Sequence, residues 1–462
     1  MSKVDLVIKG GRIVRSDQVF TADIAIGDGK ILGIMDGSWS PQADEVIDAS
    51  GKVVMAGGID PHVHSREPGI TERDDFTTCT MAAAAGGVTT ILEQPISIPP
   101  VNSVESFVYK KGLASSKAVV DFALYGGAGS TSIPHVQAQA MEGAVAFKTF
   151  LHAPSPGREA EFEGLYATDD GALLDVFSEV AKTGRVQCVH AENNGIIQYR
   201  IQKLREQGRV DPMAHGESRP VVAEVEAASR VIHFAKETGV RLNLCHISSG
   251  SAVAEAHRAK QEGYPVTVET CPHYLFQTEE AMRTLGPYAK INPPLRSREE
   301  QEKLWMYLSK GAVDTIGSDH GPHLPEHKER GWEDIFAAPS GVSGLDTMLP
   351  LLLNAVNEGR LGLQKLTQLV SENVARMYGI YPQKGTVQPG SDADLIVVDM
   401  QKAMVIDPGR MYTKQREAAR LFAGWRTQGT IVMTLVRGRM VMKDGVVVGK
   451  PGGGQFVRPG SD

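Results

Sequence analysis

The stretch GGIDPHVHSREPG, Gly57 to Gly69, sets two imidazoles, His62 and His64, one residue apart behind an apolar run, with Arg66 and Glu67 just beyond. A short apolar run that ends in polar, chemistry-bearing residues decides the fold, because the pattern returns along the chain. The runs are KVVMAGGID (52–60), GVTTILEQP (87–95), VVDFALYGG (119–127), AVAFKTF (144–150), RVQCVHAE (185–192), RLNLCHIS (241–248), PVTVETCP (265–272) and VDTIGSD (313–319), eight in all. Helical stretches separate them, and in EVEAASRVIHFAKETG (224–239) the apolar residues recur at spacings of three and four. Such an alternation suits parallel strands buried on both faces, and eight of them predict a closed (β/α)8 TIM-like barrel over an open sheet.

The two ends of the chain are written differently. DLVIKGGRIV and ADIAIGDGKILGI near the start, and ADLIVVD and IVMTLVRGRMVMKDGVVVG near the end, are short alternating segments punctuated by Gly-Gly, Gly-Asp-Gly and Lys-Asp-Gly turns. Neither set buries a face alone, so the two are expected to join in one small β-sandwich domain made of residues 1–55 and 385–462, around a barrel of residues 56–384.

Composition bounds the function. With 462 residues, 42% of them hydrophobic and 22% charged, the chain can bury a large core. A net charge of −7 gives no basic face for nucleic acid or an anionic membrane. The four cysteines form no CxxC pair, the first residues hold no signal-peptide core, and no 18-residue uncharged apolar span occurs, which together predict a reduced, cytoplasmic protein.

The polar residues fall at the carboxyl ends of the predicted strands: His62 and His64 on the first, Glu93 on the second, Lys148 on the fourth, His190 on the fifth, His246 on the sixth, His273 just past the seventh and Asp319 on the eighth. In a barrel these ends converge on the face that carries the active site. A lone buried histidine is usually a hydrogen-bonded core residue, but four imidazoles, a lysine and a carboxylate around one axis are costly to bury without an organising ion. Strand alternation points His62 and His64 to one side, where both reach one ion with Asp319 as its anionic ligand, and His190 and His246 are placed for a second. An ammonium repels a divalent cation, whereas a lysine amine that has added carbon dioxide is an anion able to bridge two ions. Nitrogen and oxygen donors without thiolates fit zinc first, with manganese or cobalt as substitutes.

Together DPHVHSREPG, AFKTF, VHAE, CHISS, ETCPHYL, KINPPLR and GSDHGPH resemble the cyclic amidohydrolases, the hydantoinase, allantoinase and dihydroorotase group of the amidohydrolase superfamily, over nearly the whole chain. The resemblance implies two Zn2+ held by His62, His64, N6-carboxylated Lys148, His190, His246 and Asp319. It implies hydrolysis of a ring amide by a hydroxide bridging the ions, with Asp319 as general acid and base. The substrate it implies is a small cyclic ureide or imide, and the assembly a homodimer or homotetramer.

In dihydroorotases an arginine two residues past the second histidine helps bind the substrate carboxylate, together with a histidine of the Asp-His-x-Pro-His segment and an asparagine after strand two. Arg66 and His323 match that pattern, but Ile96 stands where the asparagine is expected, as in the hydantoinases and allantoinases. Arg66 therefore either contacts an acidic ring or pairs locally with Glu67, Glu72 or Asp75. Asn292 and the segment Ser340 to Gly344 occupy places where relatives hold the ring, and the residues after Lys148, rich in Pro, Gly and charge, read as a lid. His152 within it reads first as a solvated loop histidine, and His273 and His320 as residues behind the ligands. Three other readings stand beside these: a dihydroorotase proper acting on an acidic ring substrate, a non-catalytic scaffold of the same fold, and a mononuclear deaminase that would not need Lys148.

Overall fold

A computed structural model of the protein describes residues 3–37, 41–155 and 157–460. Strands β1 (Val4–Val14), β2 (Val19–Gly27), β3 (Lys30–Met35), β4 (Ala43–Asp48) and β5 (Val53–Ala56) come first. The eight staves of a parallel barrel follow. They are β6 (Gly58–Val63), β7 (Val88–Glu93), β8 (Asp121–Leu124) continued by β9 (Gly126–Gly127), β10 (Ala146–Phe150), β11 (Val186–His190), β12 (Arg241–Leu244), β13 (Val266–Thr270) and β14 (Thr315–Ile316). Each pairs in parallel with the next. The third stave steps at Tyr125, so that β8 pairs back to β7 and β9 forward to β10. Closure comes at the rim: Val63 pairs in parallel with His320, and His64 N donates to His320 O at 2.9 Å.

The staves β6, β7 and β10 are buried along their whole length, as apolar strands enclosed by helices must be. The helix Val221–Thr238 shows how the outer layer attaches: Ala223, Ala227, Ala228, Val231 and Ala235 are buried at three- and four-residue spacing, and the helix stops at Gly239, whose φ of +72° suits glycine.

The first predicted barrel run divides between two sheets. Val53–Ala56 joins the terminal sheet as β5, and only from Gly58 does the chain enter the barrel. Gly57 makes the crossing possible, since a Cβ there would lie 2.2 Å from the Thr89 side chain. The terminal strands β15 (Leu395–Val405), β16 (Arg426–Val436), β17 (Arg439–Lys443) and β18 (Val446–Val447) complete a nine-stranded sheet in the order β18-β17-β16-β15-β5-β1-β2-β3, with β4 beside β1. This sheet curls into a sandwich: Lys30 bridges Asp392, and Ile24, Ile31, Val54, Leu395 and Leu435 share one apolar core. The last residues leave it, and Phe456 pairs with Phe122 on β8.

One buried cation ties sheet to barrel. Lys384 Nζ lies 2.5 Å from Asp121 of β8, 2.6 Å from Asp394 and 3.0 Å from Asp392. No helix among the described residues is long and apolar enough to cross a membrane.

Candidate metal centre

The first imidazole pair is set by the strand that carries it. Asp60, two residues before His62 on β6, accepts from His62 N and from Ser318 N, both at 3.0 Å, and so joins the first and eighth staves beneath the rim. Past His64, Glu93 accepts from Ser65 N (2.9 Å) and Ser65 Oγ (2.8 Å), and its own charge is met by Lys110 at 2.8 Å. Glu93 is thus a support for the turn and not a ligand. The result is that His62 Nε2 and His64 Nε2 stand 3.5 and 3.4 Å from the same oxygen, Asp319 Oδ1.

A second pair lies beside it. His190, the last residue of β11, and His246, just past β12, bring Nδ1 and Nε2 to 3.2 Å from each other. The His62 and His246 rings are 4.9 Å apart between centroids, and the His190 and His246 rings 4.7 Å. Carboxylates hold the outward nitrogens: Glu269 Oε1 lies 2.7 Å from His62 Nδ1 and also accepts from His246 N at 3.0 Å, and Glu192 Oε2 lies 2.7 Å from His190 Nε2. A carboxylate takes only N–H, so it fixes the ring proton outward and leaves His62 Nε2 and His190 Nδ1 as inward lone pairs. Glu192 is held in turn by the Arg219 guanidinium.

Lys148 completes the set. It is wholly buried on β10, and its amine has no hydrogen-bond partner among the described residues. Its charge bears on His62, His190 and His246 alike. Burial, reinforced by neighbouring positive charge, holds His64, His190 and His246 well below the ordinary imidazole range, which keeps them neutral and able to donate lone pairs. At His62 burial and Lys148 work in the same direction, but the Glu269 and Asp319 carboxylates outweigh them and push it up to about 10, so a cation bound at Nε2 would take the place of the second ring proton. Burial raises Asp319 above the usual carboxylate range even though His62 and Lys148 pull it down. Imidazole nitrogens 3.2 Å apart, a shared carboxylate oxygen and an unpartnered buried amine form a donor set that fits divalent cations. Three residues at the rim, Arg66 (φ +67°), His246 (φ +38°) and Asp319 (φ +46°), take up left-handed backbone, a cost of about 1–2 kcal/mol each that a packed site must offset.

Above these groups is a cavity of about 70 Å³, lined on one side by Arg66, Asn292, Ser340 and Gly341 and on the other by Ile96, Phe150 and Phe162. Arg66 is 3% exposed, and among the described residues it has no ion pair with Glu67, Glu72 or Asp75; Glu67 is taken by Lys117 and Asp75 by Lys414. Its Nη2 is 3.4 Å from His323 Nε2, its Nε and Nη1 have no partner among the described residues, and burial lowers it to about 9. His323 stands behind Arg66 and outside the cavity lining, bonded to Ser340 O at 3.0 Å. The Asn292 amide, oriented to donate to Ser340 Oγ (3.0 Å), accepts from Arg219 Nη2 at 3.3 Å.

His152 is not a solvated loop residue. It is 8% exposed, and its ring lies 4.6 Å from that of His190, because Phe162 packs on Phe150 at 4.9 Å and folds the segment inward. His320 sits behind the ligands, 3.1 Å from Asp74, and His273 is buried with its Nε2 unpartnered. Sequence reasoning gave no role to Glu192, Glu269, Arg158 or Phe162. Two of these carried a signal: Glu192 follows His190 by two residues, and Glu269 is the acidic residue within the otherwise uncharged seventh run.

Residues 53–441 match the family described as the Amidohydrolase family. An L-hydantoinase of Paenarthrobacter aurescens is 41% identical over 455 residues, 98% of each chain. An allantoinase of Rubrobacter xylanophilus is 39% identical, covering 99% of this chain and 98% of its own. The solved L-hydantoinase (dihydropyrimidinase) of Arthrobacter aurescens superposes with a TM-score of 0.95 at 40% identity, over 98% of this chain and 100% of that one.

Proposed function

The chain belongs to the amidohydrolase family and is a hydrolase of cyclic amides, and from that premise we propose that it opens the ring of a cyclic ureide at a binuclear metal centre. The observation that carries the reading is the joint convergence of His62, His64 and Asp319, and of His190 and His246, around the unpartnered amine of Lys148. His62, His64 and Asp319 would hold one ion and His190 and His246 the other, zinc by preference. Lys148 would bridge them once its neutral amine has bonded to the carbon of carbon dioxide and released one proton, giving a carbamate anion. When bound, the ions supply Lewis-acid polarisation of the ring carbonyl and lower the pKa of water.

The chain's own residues do the rest. Asp319 accepts the proton of the attacking water and passes it to the ring nitrogen as the C–N bond breaks, a role suited to a carboxyl that burial has raised. Glu269 and Glu192 keep the ligand lone pairs inward. Ile96, Phe150 and Phe162 exclude bulk water from the reacting carbonyl.

A narrower reading has its own support. Arg66 brings unpartnered Nε and Nη1 to a cavity it lines, an arrangement suited to a ring that bears a carboxylate. Zinc-loaded enzyme assayed on allantoin, 5-substituted hydantoins of both enantiomers and dihydroorotate tests both readings. Ring opening of at least one, sensitive to chelation, is expected, and its absence on all would leave the scaffold reading. Arg66→Ala should lower kcat/KM on acidic rings about 10- to 100-fold, the worth of one charge-assisted hydrogen bond, and spare neutral rings. An equal loss on both would remove the arginine argument.

A further inference from the structure

The small cavity over the candidate ligands shares His152, Ser155, Arg158, Asn292 and Ser340 with a second cavity of about 810 Å³. Six basic side chains, Arg73, Arg158, Arg205, Arg219, Lys290 and Arg330, line the larger one, and among the described residues no carboxylate does. On a chain of net charge −7 this is a concentration of the opposite sign. The carboxylates behind the lining are too few to cancel it: Glu161 serves both Arg73 and Arg158, Glu192 serves Arg219 and Asp334 serves Arg205. Lys290 has none. It is 5% exposed, and its amine donates only to the carbonyls of Ile335 (2.7 Å) and Ala338. Lys328 behind it likewise donates to two carbonyls, Lys290 O at 3.2 Å and Pro339 O at 3.1 Å. Carbonyls orient an amine without supplying a countercharge, and burial, reinforced by neighbouring positive charge, holds Lys290 well below the ordinary lysine range and pushes Lys328 down to about 7, so that a carboxylate entering the chamber would be the partner that favours their charged forms. The volume lies within the range of small-molecule sites.

We propose that this chamber is a carboxylate-binding subsite that takes the ring-opened product, an N-carbamoyl amino acid or a homologous ureido acid, by the carboxylate newly made from the ring carbonyl. The inference rests on the ring-opening reading: a neutral ring amide becomes an anion in the small cavity, and Arg158 and Asn292 are among the residues that this cavity shares with the chamber. A carboxylate already on an entering ring would meet the same cations, so the two sources are tested separately.

The probe is N-carbamoylglycine, with N-carbamoylglycinamide as its neutral isostere. Both are titrated calorimetrically into the metal-loaded enzyme and assayed as inhibitors of ring opening. The wild type should prefer the acid by about tenfold or more, a preference that weakens as salt is raised. Lys290→Met should collapse it. Because Lys290 also braces two carbonyls, Arg330→Gln at the exposed edge of the chamber is the second variant, with a partial loss of the preference expected. Equal binding of acid and amide by the wild type, or an undiminished preference in both variants, overturns the proposal. Variants that raise KM for a carboxylate-bearing ring but leave N-carbamoylglycine inhibition unchanged overturn the product assignment in favour of an entering acid. A wild type that opens no cyclic amide defeats the functional reading instead, while the calorimetric comparison still reports on the chamber.

Discussion

Glu269 offers the sharpest test of how the metal centre is organised, because one of its oxygens does two things. Oε1 accepts from His62 Nδ1 at 2.7 Å and from His246 N at 3.0 Å, so a single atom orients one residue of each imidazole pair. Glu269→Gln keeps a carbonyl oxygen there and can retain both bonds, losing only the charge. A hydrogen bond to a charged group is worth about 1.5–3 kcal/mol and a neutral one about 0.5–1.5, so the loss is about 1–1.5 kcal/mol, or roughly tenfold in metal affinity. Glu269→Ala removes the acceptor altogether and leaves a buried ring N–H and a buried backbone N–H unmet. At about 1–3 kcal/mol for each such group, metal affinity should fall by a further factor of about ten or more. Competition with a graded series of chelators measures both values, and the thermal midpoint of the metal-free variants separates lost affinity from lost folding. If glutamine and alanine weaken the metal equally, the charge alone matters and neither hydrogen bond contributes. If neither weakens it, Glu269 does not orient the ligands and the tautomer argument fails.

Lys148→Met should abolish ring opening and lower the bound metal below two equivalents, and intact-mass measurement of the wild type under native conditions should show one added carbon dioxide. Two retained equivalents in the variant would refute the bridging role. Lys384→Met leaves the buried carboxylates of Asp121, Asp392 and Asp394 facing one another, and should cost about 3–5 kcal/mol in a denaturant titration, with no direct contact to the metal centre. Lys384 is raised above the ordinary lysine range because its three carboxylates outweigh burial, so its contribution is fully present below the unfolded value of about 10.4 and is lost only as pH climbs beyond that. Glu161 is the opposite case: burial raises it, but Arg158, Arg66 and Arg73 bring it down to about 2. Its stabilisation is present above the unfolded value of about 4.3 and disappears as pH falls towards 2, so the melting advantage of wild type over Glu161→Gln should be flat above about pH 5 and vanish in that acid window.

The barrel was legible because its staves are short, apolar and bounded by polar chemistry, a pattern that survives without any knowledge of neighbours. The split at Gly57 was not. Lys52 to Asp60 is one continuous apolar run, and what divides it is the Thr89 side chain on another strand, a contact that local periodicity does not encode. The same holds for His152: Pro, Gly and charge around it argue for solvent, and the packing of Phe162 on Phe150 overrides them.

The candidate metal ligands and their supports differ in the same way. His62, His64, His190, His246 and Asp319 could be read because chemistry at strand ends has one destination in a barrel. Glu269 and Glu192 stand at strand ends too, yet a carboxylate there can be a ligand, a base or a brace, and only the 2.7 Å approach to the far nitrogen of an imidazole separates these roles. Glu93 makes the point by contrast, since it occupies the same position on β7 and is spent on Ser65 and Lys110. Arg66 carries the argument to the substrate: Glu67 and Asp75, the acids written beside it, are each claimed by a lysine far along the chain, Lys117 and Lys414. A guanidinium freed in this way from its neighbours and held at a left-handed φ is kept available by interactions it does not itself make, which is why proximity in the sequence pointed equally to a local pair and to a ligand contact.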